Sequence, residues 1–244
     1  MGKAFGAVVV SVMFLCGWSS PAGAEERRQF DGLIEPSRVV ALSSQVPGIL
    51  ESVRVERGDR VAKGQIVATL NAAIEKAAAQ VSRSRVEFAK RKVARNEELY
   101  RKQLIAVHDK DEMETELHIA EAQLREDEEK VNLRTIVSPL DGVVVERLRS
   151  AGEYVGEDAV LKIARIDPLH VEVVMPAAFY GTVKIGAQAD VVPESPLEGK
   201  FSAKVTIVDR VIDAASGTFG VRLEMANRDY RLPAGLKCKV TFKP

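Results

Sequence analysis

Three observations predict a mixed, mainly β fold that carries an α-helical coiled-coil hairpin. Residues 44–70 and 138–164 are diverged copies of one short motif at a constant offset of 94. A stretch without Pro or Gly separates the copies, and short alternating segments fill the last third of the chain. The register pairs Ser44 with Ser138, Gly48 with Gly142, Gly58 with Gly152, Val61 with Val155 and Val67 with Leu161. Neither copy is large enough to bury its own apolar face, so the two are expected to build one split β-domain together. The segment between them must then leave that domain and return to it. Such a layout suits a reaching, connecting device better than a catalyst.

Residues 1–24 read as a secretory leader. Lys3 is their only charge, an apolar run occupies 4–16, and Pro21-Ala22-Gly23-Ala24 supplies a small-residue cleavage site after Ala24. The run falls short of the roughly 20 residues that a spanning helix needs, which leaves an uncleaved anchor as the alternative. Leu15 precedes Cys16 where a lipoprotein site needs a small residue, so lipidation is not expected. Cleavage leaves Cys238 as the sole cysteine, so no internal disulfide is expected. Cys238 lies in an alternating segment with Leu236, Val240 and Phe242 and reads as a small buried apolar residue.

In residues 25–43, alternating Phe30, Leu33, Val39 and Ala41 predict strands leading toward the barrel and the first copy. In the first copy, 44–71, Ile49, Val53 and Val55 alternate, Gly58-Asp59 and Lys63-Gly64-Gln65 turn, and 66–70 closes the unit. Gly58 is expected at positive φ. The second copy, within 134–166, enters rigidly at Pro139, turns at Asp141-Gly142, and repeats the glycine turn at Gly152.

Residues 72–133 predict the hairpin, because 71–138 lacks both Pro and Gly. The first helix is expected over about 72–102, capped by Asn71, and the second over about 109–131. Apolar Ile74, Ala78, Val81 and Phe88 mark one face of the first helix, with Val86, Val93 and Tyr100 on an adjacent stripe. Met113, Leu117, Ala120, Leu124 and Val131 follow coiled-coil spacing on the second. Acidic Asp109, Asp111, Glu112 and Glu114 crowd its start, where the helix dipole favours negative charge. Each helix would extend roughly 35–45 Å at 1.5 Å per residue. The hairpin's turn is the odd part: Leu104, Ile105, Ala106 and Val107 are apolar where a solvent-facing tip should be polar.

After Ile166-Asp167-Pro168 a third unit, 167–244, begins. A strand at 169–173, a short helix at 176–183, and strands near 187–192, 201–208, 219–225 and 236–242 predict a small antiparallel β-barrel of five strands.

Composition narrows the function. Lys+Arg and Asp+Glu stand at 35 each, so the basic excess that a general nucleic-acid binder uses against phosphate is missing. The three histidines fall in three different elements, and His118 has no His or Cys at i+4, so no metal site of familiar spacing is found. Neither a phosphate loop nor a nucleophile elbow occurs. The chain is read as a non-enzyme.

The order of half-motif, helical hairpin, half-motif and barrel resembles the periplasmic adaptor subunits of bacterial multidrug efflux pumps of the resistance-nodulation-division type, the membrane fusion protein family. SPLDG and VERGDRVAKGQ look like the halves of a lipoyl domain, making the split β-domain lipoyl-like. The segment VIDAASGTFGVRLEMANRDYRLPAGLKCKV looks like the closing barrel segment of such adaptors, with Ala234 interrupting their usual L-x-P-G-M. A lipoyl carrier holds its modified Lys at the turn between halves; here the hairpin occupies that place, so no cofactor is expected. The resemblance implies a periplasmic protein associated with the inner membrane. It implies a homo-oligomer, a hexamer, joining an inner-membrane transporter to an outer-membrane channel. The transporter is expected to be of the resistance-nodulation-division type, with an ATP-driven one as the alternative. Many members add a fourth, membrane-proximal domain; this chain is expected to contact its transporter through the barrel and N-terminal residues. The resemblance places channel docking at the tip, on Arg95, Leu99, Leu104, Ile105 and Ala106, with Ala106 standing where the family has Ser. A non-transport coiled-coil scaffold, or a lipoyl-like carrier relative, is the other function class, and exposure of 104–107 discriminates them.

Overall fold

The computed structural model describes Gly2 and residues 29–197 and 199–243. Apart from Gly2, the expected leader and its cleavage site lie outside these residues. Among the described residues, no helix is long and apolar enough to cross a membrane.

The two copies of the motif fold into one sandwich by exchanging strands. One sheet runs β5 (Thr135–Val137), β4 (Ile66–Leu70), β2 (Gly48–Val53) and β7 (Tyr154–Val155). The other runs through the inner halves of β1 (Gln29–Ser43) and β8 (Ala159–Pro176), then β6 (Gly142–Arg147) and β3 (Arg60–Val61). Two-residue β7 from the second copy pairs with β2 of the first, and β3 of the first pairs with β6 of the second. The offset of the sequence repeat therefore reappears as an approximate two-fold relation between the sheets. Ser44 Oγ donates to the Val46 carbonyl at 2.5 Å, and Ser138 Oγ donates to the Leu140 carbonyl at 2.6 Å, the same local bond in each copy. Matched Val61 and Val155, and Val67 and Leu161, are all buried. Each such side chain contributes about 1.5–3 kcal/mol relative to exposure.

Two long strands carry the chain from sandwich to barrel. The strand expected to start afresh at Leu169 is instead the second half of 18-residue β8, and residues 29–43 form the single strand β1. These two pair along nearly their whole length, with two irregularities: Ile166, Asp167 and Pro168 bulge opposite Ser37, and Val160 is the extra residue between the Leu42–Leu161 and Ser43–Ala159 pairs. The barrel closes with six strands rather than five. Its order is β1, β12 (Lys237–Phe242), β9 (Gln188–Pro193), β10 (Phe201–Val208), β11 (Thr218–Met225) and β8, which returns to β1. The sixth strand is β1, which sequence order separates from the rest by more than a hundred residues. The helix expected after Pro176 is a single 3-10 turn at Ala177–Phe179.

Alternating Leu169, Val171, Val173 and Met175 fill the barrel with Val221, Leu223, Met225, Cys238 and Val240. Burial raises the Cys238 thiol to about 11, with nearby acidic Glu194 and Asp31 adding to it. Buried Asn227 ties the barrel to the bulge: its Nδ2 donates to the carbonyls of Ile166 and Leu232, and its Oδ1 accepts from the Leu232 amide. From the sandwich, the Arg60 guanidinium lies 4.4 Å from the ring centre of Tyr230 in the same loop.

Two glycines of the repeat are required for different reasons. Gly58 holds φ +96° with open space around a would-be Cβ, whereas a Cβ on Gly142 would sit 2.3 Å from the Ala164 carbonyl. Gly58→Val is expected to cost about 1–3 kcal/mol from backbone strain alone. Gly142→Ala carries no such strain but must push β6 away from the β8 backbone, so its denaturant midpoint should fall below that of Gly58→Ala. Equal midpoints for the two Ala variants would overturn the close-approach argument.

Candidate functional site

The inserted segment folds as two antiparallel helices, α1 (Ala73–Arg101) and α2 (Val107–Asn132), rising from the sandwich. At 1.5 Å per residue they extend about 44 Å and 39 Å. Cross-helix pairs Arg83–Glu128, Lys90–Glu121, Lys92–Glu116 and Lys110–Glu97 step from base to tip.

On α1 the seam follows one of the two expected stripes: Val86 is buried and Val93 and Tyr100 are half-buried, beside buried Ala79, Ser82 and Ala89, while Ile74, Val81 and Phe88 of the other stripe are 82%, 54% and 62% exposed. Small Ala and Ser let the helices approach closely, and the polar partner on α2 fixes the rotation. Buried Asp127 accepts a 2.6 Å hydrogen bond from Ser82 Oγ and is met by Lys130 at 3.2 Å. An unpaired carboxylate at that depth would be costly, so Ser82 must face it. Ser82 and then Lys130 hold the Asp127 carboxyl below the usual carboxylate range. On α2 the expected positions Met113, Leu117, Ala120, Leu124 and Val131 are all half-buried.

The base of the hairpin is a clamp around Arg134. Its Nη1 donates to the Pro47 carbonyl at 2.9 Å and its Nη2 to Glu75 Oε1 at 2.6 Å. A bond of this kind between ionised groups is among the stronger ones available. Gly48 makes room, since a Cβ there would lie 2.6 Å from Nη1. Asn71, expected as the N-cap, stands one residue earlier; its Oδ1 accepts from the Ala73 amide at 3.1 Å, and Ala72 is the cap.

At the tip, α1 ends without glycine. Gln103 takes φ +57°, its amide donates to the Tyr100 carbonyl and the Leu104 amide donates to the Leu99 carbonyl, the pair of bonds that defines a Schellman motif. The second helix begins at Ala106, whose amide donates to Asp109 Oδ2 at 3.1 Å. Alanine offers no acceptor in return, so only half of a capping box is made. Lys110 reaches back to Glu97 and lies 5.1 Å from the Tyr100 ring centre. Hydrogen bonding with Lys110 lowers the Glu97 pKa, and the same pair raises that of Lys110.

The five tip residues singled out from the sequence fall on this end of the hairpin. Arg95 and Ala106 are exposed, Leu99 and Ile105 are half-buried, and Leu104 is 66% exposed. Neighbouring Val107 is 56% exposed. Sequence reasoning missed the Arg134 clamp and the Ser82–Asp127 pair. A lone Arg after a helix, and a Ser and an Asp 45 positions apart, carry no local signal.

Residues 38–165 match the CzcB-like barrel-sandwich hybrid domain family, and residues 168–244 match the CusB-like β-barrel domain family. The chain is 24% identical over 223 residues to multidrug resistance protein MdtA of Erwinia amylovora, covering 82% of this chain and 55% of that protein. It is 21% identical over 207 residues to an uncharacterised protein of Haemophilus influenzae, covering 84% of this chain and 54% of that one. The chain thus spans about half the length of the curated relatives it matches. In fold it is similar to a MacA–MexA chimeric protein containing the Pseudomonas aeruginosa MexA α-hairpin domain. That likeness has a TM-score of 0.74 at 19% identity, over 88% of this chain and 78% of that one.

Two outcomes test the hairpin's internal chemistry. Ala106→Ser supplies the missing acceptor at the cap and is expected to stabilise the hairpin by about 1 kcal/mol, read from denaturation followed by helical circular dichroism. For Asp127, a folded pKa below the unfolded value of about 3.9 means stability present above that pH and lost as pH falls through the folded value. Wild type should therefore exceed Asp127→Asn at pH 7, and the gap should shrink below about pH 4. A gap that does not change with pH would rule out the ionised carboxylate as its source.

Proposed function

The chain belongs to the membrane fusion protein family through its CzcB-like barrel-sandwich hybrid domain, and from that premise we propose that it is the periplasmic adaptor of an efflux system. In this reading it bridges an inner-membrane transporter and an outer-membrane channel without catalysing a reaction. The observation that carries the reading is the tip: Leu104 and Val107 are 66% and 56% exposed at the far end of the hairpin, in the turn between its two helices. Exposing apolar groups to water at the point farthest from the core costs free energy unless a partner covers them. A self-contained scaffold would fold the tip inward.

Arg95, Leu99, Leu104, Ile105 and Ala106 form the docking surface for the channel. Arg95 and Leu99 lie one turn apart on α1 and lead into the tip. The division of labour assigns 44–71 and 134–166 to the lipoyl-like mount and 72–133 to a coiled-coil arm. It assigns 167–244, joined by 25–43, to the barrel facing the transporter. That transporter is of the resistance-nodulation-division type, and the adaptor works as a homo-oligomer, a hexamer, in the periplasm after cleavage of its leader behind Ala24.

Leu104→Asp places a charge on an exposed residue and leaves the helix seam untouched. Affinity capture from membranes should then recover the outer-membrane channel at least tenfold less well than wild type, with an unchanged melting temperature. Undiminished capture would overturn docking through the tip.

A further inference from the structure

The end of the barrel farthest from the sandwich is used by neither the hairpin nor its mount. The strand β1 starts there with Gln29 opposite Thr241 of β12, and β8 finishes there with Pro176 opposite Thr218 of β11. The connection 209–217 between β10 and β11 therefore lies at this end, where its Gly217 carbonyl accepts from the Ala177 amide at 2.8 Å. Residues 177–187 cross the same end from β8 to β9, with Val183 buried in the barrel core beneath them.

Apolar groups stand out from both segments. Val211 is 80% exposed, Ile185 67% and Tyr180 47%. Each of the two aliphatic side chains follows an exposed cation, Arg210 before Val211 and Lys184 before Ile185, and neither cation has an ion pair among the described residues. The neighbouring carboxylates are already engaged. Asp209 Oδ2 accepts from the Gly220 amide at 3.1 Å, and Asp213 Oδ1 accepts from the amides of Ala215 and Ser216 at 2.8 and 3.2 Å. Behind these protrusions lies a layer of rings, with Phe30 edge-on to Phe179 and Phe242, and Tyr180 edge-on to Phe219.

We propose that this end of the barrel rests directly on an anionic phospholipid bilayer, with Val211 and Ile185 entering the acyl boundary and Arg210 and Lys184 meeting the headgroups. Aromatic rings and long cations gather at the level of the headgroups, and aliphatic groups go below them. The aliphatic side chains here are single protrusions on two separate loops. A bilayer covers such a pattern in any register, because anionic headgroups collect around each cation. A protein partner would have to match each protrusion with a pocket of its own. The path of the chain gives the orientation. Arg27-Arg28 and the apolar run at 4–16 precede β1 in the sequence, so a leader held in the membrane delivers the barrel by this end. The inference rests on the adaptor reading for the inner membrane as the surface that is met.

The test places an environment-sensitive fluorophore on Val211→Cys or Ile185→Cys in the full chain carrying Cys16→Ser, where buried Cys238 stays unlabelled. Vesicles of phosphatidylethanolamine and phosphatidylglycerol should shift the emission of both probes to the blue, and brominated acyl chains should quench them. A probe on Phe88→Cys, out on the hairpin, should respond to neither. Adding Val211→Asp to the Ile185→Cys variant should raise the lipid concentration needed for the shift about tenfold, with an unchanged melting temperature. Probes at 211 and 185 that stay unquenched on vesicles would overturn the inference. If those probes are shielded only in membranes containing the transporter, a protein covers this end instead. Equal quenching at Phe88→Cys would overturn it as well. Channel capture in parallel separates the two readings. Quenching without capture removes only the adaptor function, and capture without quenching removes only the lipid contact.

Discussion

Each sheet of the sandwich is completed by a strand borrowed from the other half of the chain, and the rest of the molecule depends on that exchange. The borrowed strands, β3 and β7, are only two residues long, too short to hold a register by themselves. They hold it because Val61 and Val155 are buried between the sheets, where a slip of one residue would turn each valine to solvent. Since 60–61 and 154–155 must lie on opposite sheets, the chain between the copies has to begin on one sheet and finish beside it. Both ends of the hairpin are thereby fixed to one rigid body, and the Arg134 clamp to Glu75 and Pro47 sets them there.

From that mount, an arm about 40 Å long is kept straight by polar as well as apolar means. A seam of Ala, Ser and Val has little area to bury, so it cannot resist rotation of one helix against the other by hydrophobic contact alone. The Ser82–Asp127 bond adds a directional contact across the seam, one that rotating either helix would break. The consequence reaches the outside of the arm. With Ser82 turned inward, the larger Ile74, Val81 and Phe88 are turned out.

At the other end, the barrel is held to the sandwich by continuous β1 and β8 and by the loop carrying Asn227 and Tyr230. The bulge at Ile166, Asp167 and Pro168 interrupts the ribbon's pairing between sandwich and barrel. Asn227 stiffens that place: its side chain bonds Ile166 in the bulge and Leu232 in its own loop, and its backbone amide donates to Asp167 Oδ1.

Much of this was legible in the chain. The repeat at constant offset, the long stretch free of Pro and Gly, and the alternating segments determined the split β-domain, the helical pair and the barrel. Local chemistry is sufficient there: turns need glycine at positive φ, helices exclude Pro, and half-buried strands alternate. The apolar tip at 104–107 was legible for the same reason. Tertiary structure alone decided which face of α1 meets α2, that β1 closes the barrel as its sixth strand, and that Arg134 locks the base. Each of these depends on groups far apart in sequence, where the preference of a residue is set by its partner. Ile74, Val81 and Phe88 would compete for the seam on hydrophobicity alone; the stripe through Val86 takes it, with Ser82 meeting Asp127 of the facing helix.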